Sequence, residues 1–188
     1  GLTEKAKPNE FHNTIAPILT EVQAFMDATF KDWTYVSAEQ ILYEEAGVQN
    51  DRFFKGYIDG IIRVPKSSRL KRAKPDDYEY WIIDWKTSSW GWPMERKMDK
   101  KKTLQLVLYK HFWAQKLKVD LSDIRCGFVL LKRTPAKDKE TGLKRSRCEL
   151  VPVSVGDKSI ANGLADLGRM LGSVKKKFYS KNRDSCRF

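Results

Sequence analysis

The chain has 188 residues, of which 41% are hydrophobic and 32% are charged, a balance typical of one soluble globular domain. No apolar run approaches the roughly 18 residues of a membrane-spanning helix, and no signal peptide opens the sequence, so we expect an intracellular protein without membrane insertion. The 36 Lys and Arg against 24 Asp and Glu give a formal charge of +12, which favours a polyanionic partner.

The first predicted element is a helix from Asn13 to about Phe30. Apolar residues recur there at helical spacing and Asn13 is a suitable N-cap, whereas residues 1–10 are polar and are expected to be frayed. Pro17, four residues after that cap, should delay the helix or kink it. His12 lies just before the helix and is predicted to face solvent or to act as a cap.

Two strands should follow at residues 33–43 and 53–64, joined by a turn at residues 47–51. The second strand is apolar but carries one embedded acid, Asp59. Residues 65–77 are polar and basic, which predicts a solvated loop that is also well placed to contact phosphates.

The stretch YWIIDWKTSS, residues 80–89, predicts a third strand. It opens with aromatic and β-branched residues, which favour a strand buried on both faces. Asp84 and Lys86 point to the same side, about 7 Å apart, because strand residues alternate between faces. A carboxylate and an ammonium at the end of a buried strand are costly unless they have partners or a function. The pair is therefore either a structural ion pair or part of a site.

The loop after this strand contains Trp90 and Trp92 on either side of a glycine. In a loop rich in glycine and proline, two tryptophans could stack on the bases of a single nucleic-acid strand. They could equally pack against the core, and the sequence leaves both interpretations open.

A helix is predicted at residues 98–117, in which Gln105 and Tyr109 are four residues apart and share one face. His111 lies on another face and is interpreted as structural. The buried stripe of this helix is predicted to be Leu104, Val107, Leu108 and Phe112. The remaining predicted elements are a strand at 124–131, a basic loop at 132–147, a partner strand at 150–155 and a last helix at 157–179. This pattern predicts one α/β or α+β domain, with a mixed central sheet flanked by helices.

The three cysteines, Cys126, Cys148 and Cys186, are far apart and odd in number. This arrangement predicts free thiols in a reducing compartment. No C-x-x-C pair is present, and the count falls short of the four cysteines of an iron–sulfur cluster, so none is expected.

Three short motifs follow one another in a definite order: G-x-x-D at 56–59, D-x-K-T-S at 84–88 and Q-x-x-x-Y at 105–109. This order resembles the RecB-type exonuclease branch of the PD-(D/E)XK nuclease superfamily, which includes phage, CRISPR-associated and mitochondrial exonucleases. The motifs span about a third of the chain. The resemblance implies a restriction-endonuclease-like core of order α-β-β-β-α-β, with the whole chain, residues 1–188, forming one nuclease-like domain.

The resemblance also implies a metal site. Asp59 and Asp84 are the expected ligands, with the Trp85 carbonyl oxygen beside them. Glu39, about twenty residues before Asp59, is expected either to complete the shell or to be an exposed strand acid, and Glu44 and Glu45 compete for that role. Ligands that are all oxygens select Mg²⁺ or Mn²⁺ over zinc.

Three further residues receive roles by the same resemblance. Lys86 is expected to orient the attacking water and to stabilise the transition state. Gln105 and Tyr109 are expected to position the nucleophile or the strand backbone rather than to perform the chemistry.

The predicted function is that of a metal-dependent DNA exonuclease acting on single strands or duplex ends. No zinc finger or helix-turn-helix pattern suggests a sequence-reading enzyme. The alternatives are a nucleic-acid-binding module with this fold and no activity, and a structure-specific endonuclease. All the matching catalytic positions are intact, which argues against the inactive module.

Overall fold

The computed structural model describes residues 8–46, 52–68, 74, 77–135, 137–138 and 140–178. The predicted turn at 47–51, most of the basic loop at 65–77 and Cys186 lie outside these residues. The helices are α1 (Pro8–Thr29), α2 (Met94–Lys97), α3 (Lys100–Leu117) and α4 (Asp157–Lys175). The strands are β1 (Thr34–Glu45), β2 (Phe53–Pro65), β3 (Tyr78–Ser88), β4 (Ile124–Lys132) and β5 (Cys148–Val153).

The five strands form one mixed sheet in the order β1-β2-β3-β4-β5. β1, β2 and β3 are antiparallel neighbours, β3 and β4 are parallel, and β4 and β5 are antiparallel. A parallel pair needs a crossover connection, and α3 supplies it between β3 and β4. The predicted mixed sheet flanked by helices is confirmed.

Both faces of the sheet are covered by apolar side chains. On one face Phe112 and Trp113 of α3 pack in a core with Ile82 of β3. On the other face Met26 of α1 and Phe30, directly after that helix, pack with residues that include the next strand residue, Ile83. The two isoleucines are 0% and 1% exposed. Burial on both faces explains why β3 is continuously apolar rather than alternating.

The start of the chain differs from the prediction. α1 begins at Pro8, so residues 8–10 are helical rather than frayed, and both His12 and Asn13 lie inside the helix instead of capping it. Proline is favoured at the first helical position because its φ is preset and its missing N–H has no partner there in any helix. Pro17 is then an interior residue of α1. The helix tolerates it within a 22-residue run.

The third helix starts two residues later than predicted, after the separate short helix α2. Asp99 is its N-cap, and its side chain accepts a hydrogen bond of 2.9 Å from the Lys101 N–H. Aspartate is a preferred cap, so this boundary could have been found from the sequence. α3 buries more than the predicted stripe because it packs on two sides: Tyr109 and Trp113 contact β2 and β3, and Val107 faces Gly163 of α4.

The last two elements are also shorter or displaced. β5 occupies 148–153 instead of 150–155, and α4 ends at Lys175 instead of 179. Among the described residues, none of the helices combines the length and the apolar content that a membrane crossing requires.

Candidate active site

The centre of the candidate site is Asp84, near the carboxyl end of β3. Its side chain is only 1% exposed, whereas the Lys86 side chain is 35% exposed. The Lys86 Nζ lies 2.5 Å from the Asp84 Oδ2. The predicted same-side arrangement of these two residues is therefore confirmed, and it forms an ion pair with one buried and one half-exposed partner.

The Asp84 carboxylate is poorly compensated for a group so deeply buried. Among the described residues, neither of its oxygens accepts a hydrogen bond of good geometry, and the Lys86 contact is a close charge pair. The pKa of Asp84 is raised above its usual value, mainly by burial. The Lys86 ammonium opposes this rise, and the nearby Asp59 carboxylate adds to it. A buried acceptor without a donor normally has an explanation, such as a proton or a bound cation.

Asp59 lies beside the end of β3 that carries Asp84, at the point where β2 and β3 stop pairing. Their ladder ends at the Gly60–Ile83 pair. Just beyond it, the Asp59 Oδ2 accepts a hydrogen bond of 2.9 Å from the Trp85 N–H. The half-buried Asp59 carboxylate thus bridges the two strands where their backbone pairing stops, next to Asp84.

The path of β2 changes at Asp59. Ile58 and Ile61 both belong to the core on the α3 side of the sheet, although they are three residues apart. Residues three apart in a regular strand point to opposite faces. The strand therefore changes face over Asp59 and Gly60, although its register with β1 is the same on both sides of this point.

Glu39 lies opposite this irregularity on β1. Ala38 pairs with Gly60 and Gln40 with Ile58, so residue 39 stands across from Asp59. Its φ is +48°, a left-handed conformation that is uncommon for a non-glycine residue within a strand. The Glu39 side chain is exposed.

The described residues contain no group of three or more His, Cys, Asp or Glu side chains arranged to hold a metal ion. Of the three predicted side-chain ligands, Asp59 and Asp84 lie close enough for their charges to interact. Glu39 is placed across from them and is not gathered into the same cluster.

The Gln105–Tyr109 pair of α3 is also formed. The Gln105 Nε2 donates a hydrogen bond of 3.0 Å to the buried Tyr109 hydroxyl oxygen. The Tyr109 ring lies against β2 at Gly56, where an added Cβ would be 2.6 Å from the Tyr109 Cε1. Glycine at this position therefore lets α3 approach the strand three residues before Asp59.

A hard divalent cation fits this donor set. Asp84 offers a buried oxygen that accepts no hydrogen bond within the described chain, and Asp59 has one oxygen engaged by Trp85 and a second oxygen besides. Both are carboxylate oxygens, the ligand type preferred by Mg²⁺ and Mn²⁺. The Trp85 carbonyl oxygen stays a predicted third ligand.

Two further buried titratable groups, Lys110 and Cys126, lie outside the three motifs. The Lys110 ammonium donates a hydrogen bond of 2.8 Å to the Val155 carbonyl oxygen, and burial lowers its pKa. Cys126 is buried behind α3, which raises its pKa to about 12 and keeps the thiol protonated. Both therefore act in packing, and no motif in the sequence marks them.

The other predicted residues are placed as follows. Cys126 and Cys148 are free, as predicted. His111 is half-buried against Phe112, and burial lowers its pKa, which agrees with a structural role. The two tryptophans differ in their environment. Trp92 is buried against Phe128, as the packing interpretation predicts, whereas Trp90 is 75% exposed.

No protein-family model matches the chain, and no curated protein matches it significantly. Support for a function therefore comes from the geometry of Asp59, Asp84 and Lys86 and from the order of the three sequence motifs.

Proposed function

We propose that the protein is a Mg²⁺- or Mn²⁺-dependent nuclease that hydrolyses phosphodiester bonds of DNA. The observation that carries this proposal is the buried Asp84 carboxylate, with one oxygen beside Lys86 and the other lacking any hydrogen bond from the described residues. Asp59 adds a second carboxylate on the neighbouring strand.

Asp59 and Asp84 would hold the cation, with the Trp85 carbonyl oxygen beside them. A divalent ion held there would supply positive charge for the phosphoryl oxygens and would lower the pKa of a bound water. The raised pKa of Asp84 supports this assignment, because a binding cation would compensate the buried negative charge at neutral pH.

The chain's own groups have separate roles in this proposal. The Lys86 ammonium has three N–H donors and is half-exposed, so it can contact Asp84 and also donate to a water or a phosphate oxygen. The Gln105–Tyr109 hydrogen bond fixes both side chains over β2 and would orient the substrate backbone. The net charge of +12 would attract the DNA and make its binding strongly dependent on salt.

We favour an exonuclease because the Gln-Tyr helix belongs to the motif order that resembles exonucleases. The alternative is a DNA-binding module without activity. In the described part of the chain, no third His, Cys, Asp or Glu side chain joins the two carboxylates.

One assay separates these functions. End-labelled linear single strands, linear duplexes and a covalently closed single-stranded circle are incubated with the protein in EDTA, Mg²⁺ or Mn²⁺. We expect the linear DNA to shorten only with metal and the circle to persist. Loss of the circle at a similar rate would indicate an endonuclease, and intact linear DNA in saturating Mn²⁺ would indicate the binding module.

Two variants show whether the activity belongs to this site. Asp84→Asn should abolish cleavage and retain most of the DNA affinity, because the basic surface is unchanged. The matched control is Asp166→Asn on α4, where the carboxylate is exposed and pairs with Arg169. Wild-type turnover in Asp84→Asn would place the active centre elsewhere.

A further inference from the structure

A cavity of about 440 Å³ opens beyond the carboxyl ends of β3 and β4. Its walls include Ser89 and Trp90 after β3, Arg133 and Thr134 after β4, and Arg147 before β5. Because β3 and β4 are parallel, their carboxyl ends meet at one edge of the sheet. Ser89 is three residues after Lys86, which corresponds to about 10 Å along the strand. The cavity therefore lies at the same edge of the sheet as Lys86, but on the α1 face, where Asn13 and Pro17 also line it. Asp84 and Lys86 share the face of Ile82, which packs towards α3, so the cavity is distinct from the candidate active site.

Trp90 is exposed on a loop that is held on both sides. The Arg133 N–H donates to the Ser88 carbonyl oxygen at 2.9 Å, and the Thr134 N–H donates to the Ser89 carbonyl oxygen at 3.0 Å. Two residues later, Trp92 is anchored in the core. An indole that is 75% exposed on an anchored loop presents its aromatic face to solvent, and packing of the loop does not account for it.

Arg133 gives the cavity a positive charge that no acid neutralises within the described residues. Its Nη2 donates to the Ser89 Oγ at 2.5 Å, and no described carboxylate lies within ion-pair distance of it. Arg147 differs, because its Nε lies 3.2 Å from the Glu21 Oε1 and its guanidinium also contacts the Arg133 carbonyl oxygen. Arg133 is therefore the group available to an anionic ligand.

We infer that this cavity holds one nucleotide of a single-stranded substrate, with the base stacked on Trp90 and a phosphate paired with Arg133. The inference rests on the proposed nuclease function and adds a substrate class to it. A base can offer its face to an indole only when it is unstacked, which a base inside a duplex is not. The cavity therefore favours single strands over duplex DNA.

The test measures binding in EDTA, where cleavage does not interfere, by fluorescence anisotropy of a labelled oligothymidylate and a blunt duplex of equal length. Trp90→Ala should weaken single-strand binding by about 5- to 150-fold, the range of one lost base–aromatic stack. Duplex binding should be unchanged, and Trp90→Phe should retain most of the single-strand affinity.

The charge is tested by the salt dependence of the same binding. Arg133→Gln should reduce the slope of log K against log salt by about 0.7, the value for one phosphate contact on a single strand. The matched controls on α4 are Lys158→Gln for a lost surface charge and Met170→Ala for a lost exposed apolar side chain, and each should leave the single-strand preference intact.

The outcomes distinguish this inference from the proposed function. If the wild type binds and degrades single strands while Trp90→Ala binds them equally well, the nucleotide site is wrong and the nuclease stands. Equal losses on single strands and duplexes, with a lowered melting temperature, would show that Trp90 is structural and would also overturn the inference. A wild type that neither binds nor cleaves DNA refutes both.

Discussion

Replacing Asp84 with asparagine should reverse the order of stability between variant and wild type when a divalent cation is added. In EDTA the wild-type protein keeps a carboxylate that is 1% exposed, and among the described residues the Lys86 ion pair is its only compensation. Asparagine removes the buried charge and its repulsion with Asp59, while the half-exposed Lys86 ammonium can regain water. The variant should therefore be the more stable protein without metal.

The size of each effect follows from the burial. Asparagine has the same shape as aspartate but no charge, so Asp84→Asn removes the desolvation cost of a buried carboxylate and leaves a buried neutral group in its place. This exchange should raise the free energy of unfolding by about 1–3 kcal/mol. For a chain of this length, 1 kcal/mol corresponds to about 2–4 °C in Tm, which gives about 2–12 °C. A cation present at about 1,000 times its Kd stabilises the wild type by about 4.1 kcal/mol, which exceeds the advantage of the variant, and the variant should gain nothing.

The pH dependence has a definite sign. Because the pKa of Asp84 is raised in the folded state, the folded protein binds more protons than the unfolded chain between the ordinary carboxyl pKa and that raised value. The stability of the wild type in EDTA therefore falls as pH rises through this window. The stability gap between Asp84→Asn and wild type should close as pH is lowered towards about 4.

Thermal melts followed by circular dichroism in EDTA, Mg²⁺ and Mn²⁺ provide the measurement. The control, Asp166→Asn, alters an exposed pair with Arg169 and should change stability by less than about 0.5 kcal/mol in all three conditions. If Asp84→Asn melts below the wild type in EDTA, the ion pair with Lys86 is a net stabilising contact and the argument from burial fails. If no cation stabilises the wild type, the two carboxylates are not a metal site.

Two further substitutions test the surroundings of the site. Gly56→Ala places a Cβ 2.6 Å from the Tyr109 Cε1, so it should lower the free energy of unfolding by about 1–3 kcal/mol in chemical denaturation and reduce nuclease activity. If neither the stability nor the activity changes, α3 moves freely at this contact. Glu39→Gly relieves a left-handed φ and removes an exposed acid, so stability should change by less than about 1 kcal/mol and the metal requirement for cleavage should be the same. If Glu39→Gly requires a higher Mn²⁺ concentration for cleavage than the wild type, Glu39 is a metal ligand.

The order of the elements was predictable from the sequence because each strand has a strong local signal. In β3 the apolar run reflects burial on two faces, and the spacing of Asp84 and Lys86 depends only on the two-residue period of a strand. The start of α1 was not predictable from the same rules. Asn13 is a good cap and Pro17 a poor interior residue, but both local preferences are outweighed in a helix that already begins at Pro8.

The position of Asp59 could be predicted only in part. Its place in an apolar strand marked it as unusual, but the change of face between Ile58 and Ile61 depends on irregular pairing with β1, where Glu39 has a positive φ. Such pairing is a tertiary property. The division between Trp90 and Trp92 is similar, because it depends on Phe128 and on the two hydrogen bonds from β4 to the Ser88–Ser89 segment.

The candidate site needs a rigid sheet because burying the Asp84 carboxylate costs free energy. A buried carboxylate without a hydrogen-bond donor would relax towards water if β3 could shift. It cannot shift easily, since Ile82 and Ile83 anchor the strand in the cores on opposite faces and β4 pairs with it from Tyr80 to Ser88. On the other side, β2 stops pairing at Gly60, and only the Asp59 carboxylate continues the contact. Asp59 thus brings a second carboxylate beside Asp84, whose charge has the Lys86 ammonium as its compensation among the described residues. A cation bound by both carboxylates would compensate the remaining buried charge and join β2 to β3 where their backbone hydrogen bonds end.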